Sequence, residues 1–164
     1  MVTVSRQPLA AAMAIGIGLG GFFDGIIFHQ ILQVHNMLSG WLPVTDLVSA
    51  KTNMVWDGLF HAAMWVVTLA GVGLAWRAGR RGDGAMTTRT LVGGFLIGWG
   101  LFNLVEGLID HHLLGVHHVY EAMGASIWDF VFLGWGAAML LAGWLIVRRG
   151  PAGAMPTGPR RTAP

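Results

Sequence analysis

Four long apolar runs constrain the fold of this chain more than any other feature of its sequence. They extend over about residues 9–32, 54–76, 91–114 and 126–147. Each is long enough to cross a hydrocarbon core of about 30 Å as a helix, which takes about 20 residues. Charged residues make up only 11% of the chain, against about 25% in soluble domains. The sequence therefore predicts an all-α integral membrane protein with four spans in residues 8–149.

Basic residues are distributed unevenly among the segments that flank these runs. Arginines precede the first run, separate the second from the third, and follow the fourth: Arg6, Arg77, Arg80, Arg81, Arg89, Arg148, Arg149, Arg160 and Arg161. The other two connections, 35–53 and 117–125, hold one basic residue, Lys51. The positive-inside rule then predicts a bacterial inner membrane protein with both termini cytoplasmic and these two connections outside. Arginine at segment ends indicates topology rather than nucleic acid binding.

Residues 150–164 follow the last run and are rich in Pro, Gly and Arg. Such a composition cannot bury enough apolar surface to order itself. We expect this segment to be a disordered cytoplasmic tail.

The chain carries a duplication that includes its rarest residue types. An offset of 82 aligns acids and histidines of the first and third runs: Asp24 with Glu106, His29 with His111, and His35 with His117. An offset of 72 aligns the second and fourth runs and pairs Trp56-Asp57 with Trp128-Asp129. This predicts two tandem two-helix repeats, residues 8–78 and 88–149. Parallel repeats imply a four-helix bundle with pseudo-two-fold symmetry about the membrane normal.

Glycine pairs spaced by four residues recur in the first and third runs: Gly16 with Gly20, Gly21 with Gly25, and Gly94 with Gly98. Small residues at this spacing let helix backbones approach closely in lipid. They predict a tight bundle, and the same faces could alternatively mediate an oligomer.

Carboxylates and histidines are concentrated at one end of the predicted spans. Ten of them are candidate metal ligands: Asp24, His29, Asp57, His61, Glu106, Asp110, His111, His112, His117 and Asp129. Charged groups at this depth are costly in lipid and need a partner or a function. The chain has no cysteine, so thiolate sites are excluded, whereas histidine with carboxylate suits zinc, copper or iron. We therefore predict an outward-facing transition-metal site for metal handling or metal-dependent catalysis.

Helical phase limits which of these side chains can converge. Asp57 and His61 are four residues apart and share a face. Asp24 and His29 are five apart, which is about 140° around an α-helix. These two can both point inward only if the helix distorts, or one of them can orient the other.

Some of these residues have simpler interpretations. Asp129 could cap a helix near its N-terminus. His35, His117 and His118 could be ordinary loop residues at the membrane interface, and the sequence does not decide between a loop role and a ligand role.

Other functions remain open at this point. His29 and His111 could be axial ligands of a haem-linked or quinone-linked redox subunit. Intramembrane acids and histidines also build proton or ion pathways, although the inner halves of these spans are apolar. A zinc-dependent hydrolase with Glu106 or Asp110 as base is a further alternative.

The motifs themselves resemble a known family. They are the run Gly21-Phe-Phe-Asp-Gly-Ile-Ile-Phe-His, the pairs Trp56-Asp57 and Phe60-His61, and the run Asp110-His-His-Leu-Leu-Gly-Val-His-His. Over roughly residues 8–149 the chain resembles the bacterial predicted membrane proteins filed as domain of unknown function 2243. That family often has a second histidine at position 36, where this chain has Asn36. The resemblance implies four spans, indicates no particular reaction, and suggests respiratory-oxidase assembly proteins as partners.

Overall fold

The computed structural model describes residues 6–148, which form four long helices and no β-strand. The α-helices are α1 (Arg6–Asp24), α2 (Leu47–Arg81), α3 (Thr88–Glu106) and α4 (Ile127–Arg148). α1 and α3 continue without a break into π-helical segments, Gly25–Ile31 and Gly107–Leu113, and a 3₁₀ turn, Glu121–Met123, precedes α4. All four helices are long and apolar enough to cross a membrane. The prediction of an all-helical, four-span protein is confirmed, while the predicted tail 150–164 lies outside the described residues.

Helix α2 is longer than its apolar run. It begins at Leu47, where Asp46 caps the helix by accepting a hydrogen bond from the backbone of Ser49, and it ends at Gly82 with φ 69°. The expected outward connection over residues 35–53 is therefore wrong in its last third, which is helical. The ends of α2 are fixed by these caps, which a search for apolar runs does not detect.

The centre of the molecule is the α1–α3 pair, with α2 packed on α1 and α4 packed on α3. Gly16 lies against the backbone of Phe95, and Gly98 lies against the backbone of Met13, so closely that a methyl group at either glycine would strike the facing carbonyl. The close helix approach expected from the glycine pattern thus occurs within one chain. The outer helices expose large apolar side chains such as Trp65 (59%) and Trp135 (60%), as expected of surfaces that face lipid.

The π-helical segments bring residues five apart onto one helix face. Leu32 N donates to Ile27 O at 2.8 Å, and Leu114 N donates to Ile109 O at 2.8 Å, which is the i→i+5 pattern of a π-helix. This is the distortion that Asp24 and His29 required in order to point in the same direction.

Two residues after each π-helical segment lies a residue with positive φ, where the chain turns back over the helix ends. These residues are Gln33 (φ 50°) and Gly115 (φ 57°), which align at the offset of 82. A left-handed conformation is uncommon for a residue other than glycine. The turn places His35 and His117, which follow it, beneath the returning loops.

Candidate metal centre

Four histidines pack together in the interior, at the end of the bundle where the two π-helical segments lie. His29, His35, His111 and His117 are each at most 3% exposed. The ring centroids of His35 and His117 are 4.7 Å apart and nearly parallel, while His29 lies 4.6 Å from His35 and His111 lies 4.9 Å from His117. The sequence halves thus contribute two imidazoles each to one buried cluster.

Two of these histidines are anchored by loops of the opposite half. His35 Nδ1 donates to the Val119 carbonyl at 3.0 Å. His117 Nδ1 donates to the Met37 carbonyl at 3.1 Å. Residues 37 and 119 align at the same offset of 82, so the two hydrogen bonds are equivalent. A histidine that binds a metal usually donates its other ring N–H to a carbonyl or a carboxylate.

The other two histidines are held by carboxylates of the outer helices. His29 Nδ1 donates to Asp57 Oδ1 at 2.9 Å. His111 Nδ1 lies 3.4 Å from Asp129 Oδ1. All four rings therefore turn their Nδ1 atoms outward and their Nε2 atoms toward the interior of the cluster.

Three of the four Nε2 atoms, those of His29, His111 and His117, face carboxyl oxygens. His29 Nε2 lies 3.2 Å from Asp24 Oδ2, and neither atom has a hydrogen-bond partner within residues 6–148. Glu106 Oε1 lies 3.3 Å from His117 Nε2 and 3.8 Å from His111 Nε2. If Nδ1 carries the ring proton, each of these three Nε2 atoms presents a lone pair to a carboxyl oxygen, so a proton or a metal ion has to lie between the two atoms.

The spacing of these atoms suits a metal ion. Two overlapping groups, His29 with His35 and His117, and Glu106 with His111 and His117, each have one ligand atom per residue within 4.8 Å of the others. Ligand atoms around a tetrahedral zinc with bonds of about 2.0 Å lie about 3.3 Å apart. The carboxylate–imidazole distances are close to that value.

The two loop histidines are neutral. Burial, and then the neighbouring His117, lower the pKa of His35 to about 3. Burial, and then His29, also lower the pKa of His117. A neutral imidazole is the form that binds a metal.

Asp57 and Asp129 support the histidines and have few free lone pairs for a metal. Asp57 is fully buried and accepts from Asn36 Nδ2 and Met37 N, both at 2.8 Å, in addition to His29. Asp129 accepts from the backbone of Val119 and Ser126, both at 2.9 Å. Asp129 therefore caps α4, as one of its two sequence interpretations predicts, and its Oδ1 also lies beside His111. Asn36, next to His35 in the chain, thus helps to hold Asp57.

The remaining candidates lie around the cluster. His61 Nδ1 donates to its own helix at the Asp57 carbonyl, 2.8 Å away, and its ring stacks on Phe22. His112 is exposed and donates to the Gly107 carbonyl at 2.7 Å. Asp110 is half-buried and lines a cavity beside Glu106. None of these three belongs to either group of closely spaced ligand atoms described above.

His35 was not among the ten candidates, although the structure brings it into the cluster. Its alignment with His117 was the signal that could have selected it. A position in a loop gave no indication of burial, because burial here depends on contacts with the other half.

The comparisons with known proteins bear on family membership alone. No curated protein and no solved structure matches this chain. The model of the family described as "Predicted membrane protein (DUF2243)" matches residues 11–150. The chain, a membrane protein with four candidate spans around a buried histidine and carboxylate cluster, belongs to that family.

Proposed function

We propose that this protein binds a transition metal at the buried cluster and uses it in metal handling or metal-dependent catalysis. One observation carries the proposal. Four imidazoles are buried together, three of them donate through Nδ1 (His29, His35 and His117), and the Nε2 atoms of His29, His111 and His117 lie beside the carboxyl groups of Asp24 and Glu106. Within residues 6–148, several of these buried atoms have no hydrogen-bond partner, and such atoms are normally satisfied in proteins.

The proposed ligands form two equivalent sets. Each half supplies one carboxylate, one histidine of a π-helical segment and one loop histidine: Asp24, His29 and His35, then Glu106, His111 and His117. Two carboxylates offset the charge of a divalent ion in a low-dielectric interior. The donors suit zinc, copper or iron, and the number of donors is sufficient for one ion or two.

The proposed tandem repeat with pseudo-two-fold symmetry is supported by equivalent contacts in the two halves. The pair Met37 N to Asp57 Oδ1 (2.8 Å) matches the pair Val119 N to Asp129 Oδ1 (2.9 Å). The glycine contacts at Gly16 and Gly98 and the reciprocal histidine anchors follow the same offset. A duplicated site would explain why the metal ligands occur in pairs.

We further propose that the cluster faces outward from a bacterial inner membrane, with both termini cytoplasmic. Arginines at Arg6, Arg77 and Arg148 lie at the opposite helix ends from the histidines, which agrees with the positive-inside rule. A role beside respiratory-oxidase assembly proteins rests on the family resemblance alone and stays a prediction.

A haem with His29 and His111 as axial ligands fits this arrangement less well. The rings of His35 and His117 lie against those two histidines, at 4.6 Å and 4.9 Å respectively. Two further imidazoles thus occupy the space that a porphyrin would need. A visible spectrum of the purified protein tests this alternative directly.

Metal analysis of the purified full-length protein tests the proposal. We expect a stoichiometric transition metal in the native protein and its loss in His29→Ala and His117→Ala. His112→Ala is the matched control, because this histidine is exposed and bonded within its own helix turn, and it should retain the metal. If the purified native protein contains no metal and does not bind zinc, copper or iron, the proposal is wrong. Protons alone would then bridge the histidines and carboxyl groups of the cluster.

A further inference from the structure

A cavity of about 500 Å³ lies between α2 and α3 and reaches the candidate metal centre from the side of the molecule. Its walls are mostly apolar and include Phe60 and Met64. Val105 lines it and is 56% exposed, so the cavity opens on the surface that would face lipid. At one end it is bordered by two carboxylates, Glu106 and Asp110.

Glu106 connects this cavity to the histidines. Its side chain is only 6% exposed, and Oε1 lies 3.3 Å from His117 Nε2. Its other oxygen, Oε2, is buried and has no hydrogen-bond partner in the described part of the chain. An unpaired buried acceptor is costly, and the residue that carries it lines a space large enough to admit a donor.

The aligned space in the other half is almost filled. It is bordered by Asp24 and has a volume of about 90 Å³. Trp99 and Phe28 line this smaller cavity. The residues that align with them, Ile17 and Asp110 respectively, line the larger cavity. Trp135 lines the smaller cavity too, where the aligned residue in the first half is Ala63. The two cavities therefore differ in size and in charge. The larger one is bordered by Glu106 and Asp110, whereas the smaller one is bordered by Asp24 alone.

We propose that the larger cavity binds a neutral, membrane-soluble molecule with an apolar body and a hydroxyl head group. Ligand sites of this size are typically apolar with a few converging polar groups. Carboxylates accept hydrogen bonds from a hydroxyl group, and they repel phosphate and carboxylate head groups. The hydroxyl would reach Glu106 and, if the proposed metal is present, the metal centre, so this second step rests on the proposed function.

Photolabelling of the purified full-length protein in phosphatidylcholine nanodiscs tests the proposal. The probe is a medium-chain primary alcohol with a diazirine in its chain, and the matched probes are the corresponding alkane and carboxylic acid. We expect the alcohol to label residues of 101–110 about tenfold more than either matched probe, as the gain of one hydrogen bond implies. Equal labelling by the alkane would overturn the proposal, because the cavity would then accept any acyl chain.

Two variants sharpen the experiment. Ile17→Trp places in the cavity the side chain found at the aligned position, and it should reduce alcohol labelling about tenfold with unchanged metal content. Leu19→Trp, on the same helix at a position 41% exposed, is the matched control and should keep the labelling. Asp110→Asn, which removes charge at nearly constant volume, should raise labelling by the carboxylic acid relative to the alcohol.

The outcomes separate this proposal from the metal proposal. If the protein contains metal but Ile17→Trp does not reduce the labelling, the proposal of a cavity ligand is overturned and the metal proposal stands. If the protein contains no metal but Ile17→Trp abolishes the labelling, the proposal of a cavity ligand is supported and the metal proposal is overturned.

Discussion

Each buried imidazole of the candidate metal centre is oriented by a group that is itself held elsewhere. His29 depends on Asp57, and Asp57 is surrounded by donors from Asn36, Met37 and Gln30. His35 and His117 depend on loop carbonyls of the opposite half. Fixing the ring in this way sets which nitrogen is free, and this is how outer residues tune a metal ligand.

We predict that Asp57→Asn weakens metal binding about 10- to 100-fold, the usual effect of changing such a supporting carboxylate. All groups around Asp57 are donors, and an amide presents only one acceptor oxygen to them. Competition with a chelator of known affinity measures the change. Asp46→Asn is the control, because asparagine caps a helix about as well as aspartate, and an equal loss in both variants would contradict the prediction.

At the scale of helices, glycine and the π-helical segments determine how the site is assembled. Gly16 and Gly98 let α1 and α3 meet at backbone distance. The π-helical segments then bring Asp24 into line with His29, and Glu106 into line with His111. The central pair carries these four side chains, whereas the outer helices supply the carboxylates that support them.

Gly98→Ala should destabilise the protein, by about 1–3 kcal/mol, as overpacking of a close contact does. Its added methyl group would meet the Met13 carbonyl. Gly134→Ala is the matched control, since no packing atom of residues 6–148 outside its own helix turn lies within 4 Å of the added methyl group, and alanine is the better helix former. Thermal unfolding in detergent compares the two variants. A Gly98→Ala protein as stable as Gly134→Ala would show that the helices can separate without cost.

At the scale of the whole molecule, the outer loops interlock the two halves above the cluster. Ser39 Oγ donates to Glu121 Oε2 at 3.1 Å, and Gly40 N donates to Val116 O at 2.8 Å. Glu121 Oε2 also accepts from His118 N at 3.0 Å. A ligand bound between the halves would therefore stabilise the entire fold.

Metal should raise the melting temperature of the protein. A ligand at about 100 times its Kd adds about 2.7 kcal/mol to the stability of the folded state. We expect the chelator-treated native protein to gain stability on addition of its metal, and His117→Ala to gain none. An equal gain in both proteins would locate the binding outside the cluster.

The orientation of the molecule can be measured because the chain has no cysteine. Lys51 and Met86 are both exposed and lie at opposite ends of α2 and its following connection. Lys51→Cys should react with a membrane-impermeant maleimide in intact cells, and Met86→Cys only after permeabilisation. The reverse result would place the metal centre on the cytoplasmic side.

The sequence predicted the parts of this protein that depend on composition and spacing. Apolar length predicted the four spans, because crossing lipid requires about 20 apolar residues whatever their neighbours. The acids and histidines near one end of the predicted spans indicated at which end of the bundle the candidate site lies. The tandem repeat follows from spacing in the same way and stays a prediction, consistent with the paired contacts.

Only the tertiary structure decided which side chains meet. His35 and His117 are buried because loops of opposite halves close over each other, and no local pattern encodes contacts between residues about 80 positions apart in the chain. The π-helical segment after Asp24 brings Asp24 and His29 onto one helix face, whereas α-helical geometry would place them about 140° apart. His112 is also a histidine and follows His111 directly in the chain, yet its ring is exposed and lies outside the cluster. Residue type determined what the site could bind, and packing between the halves decided which residues could bind it.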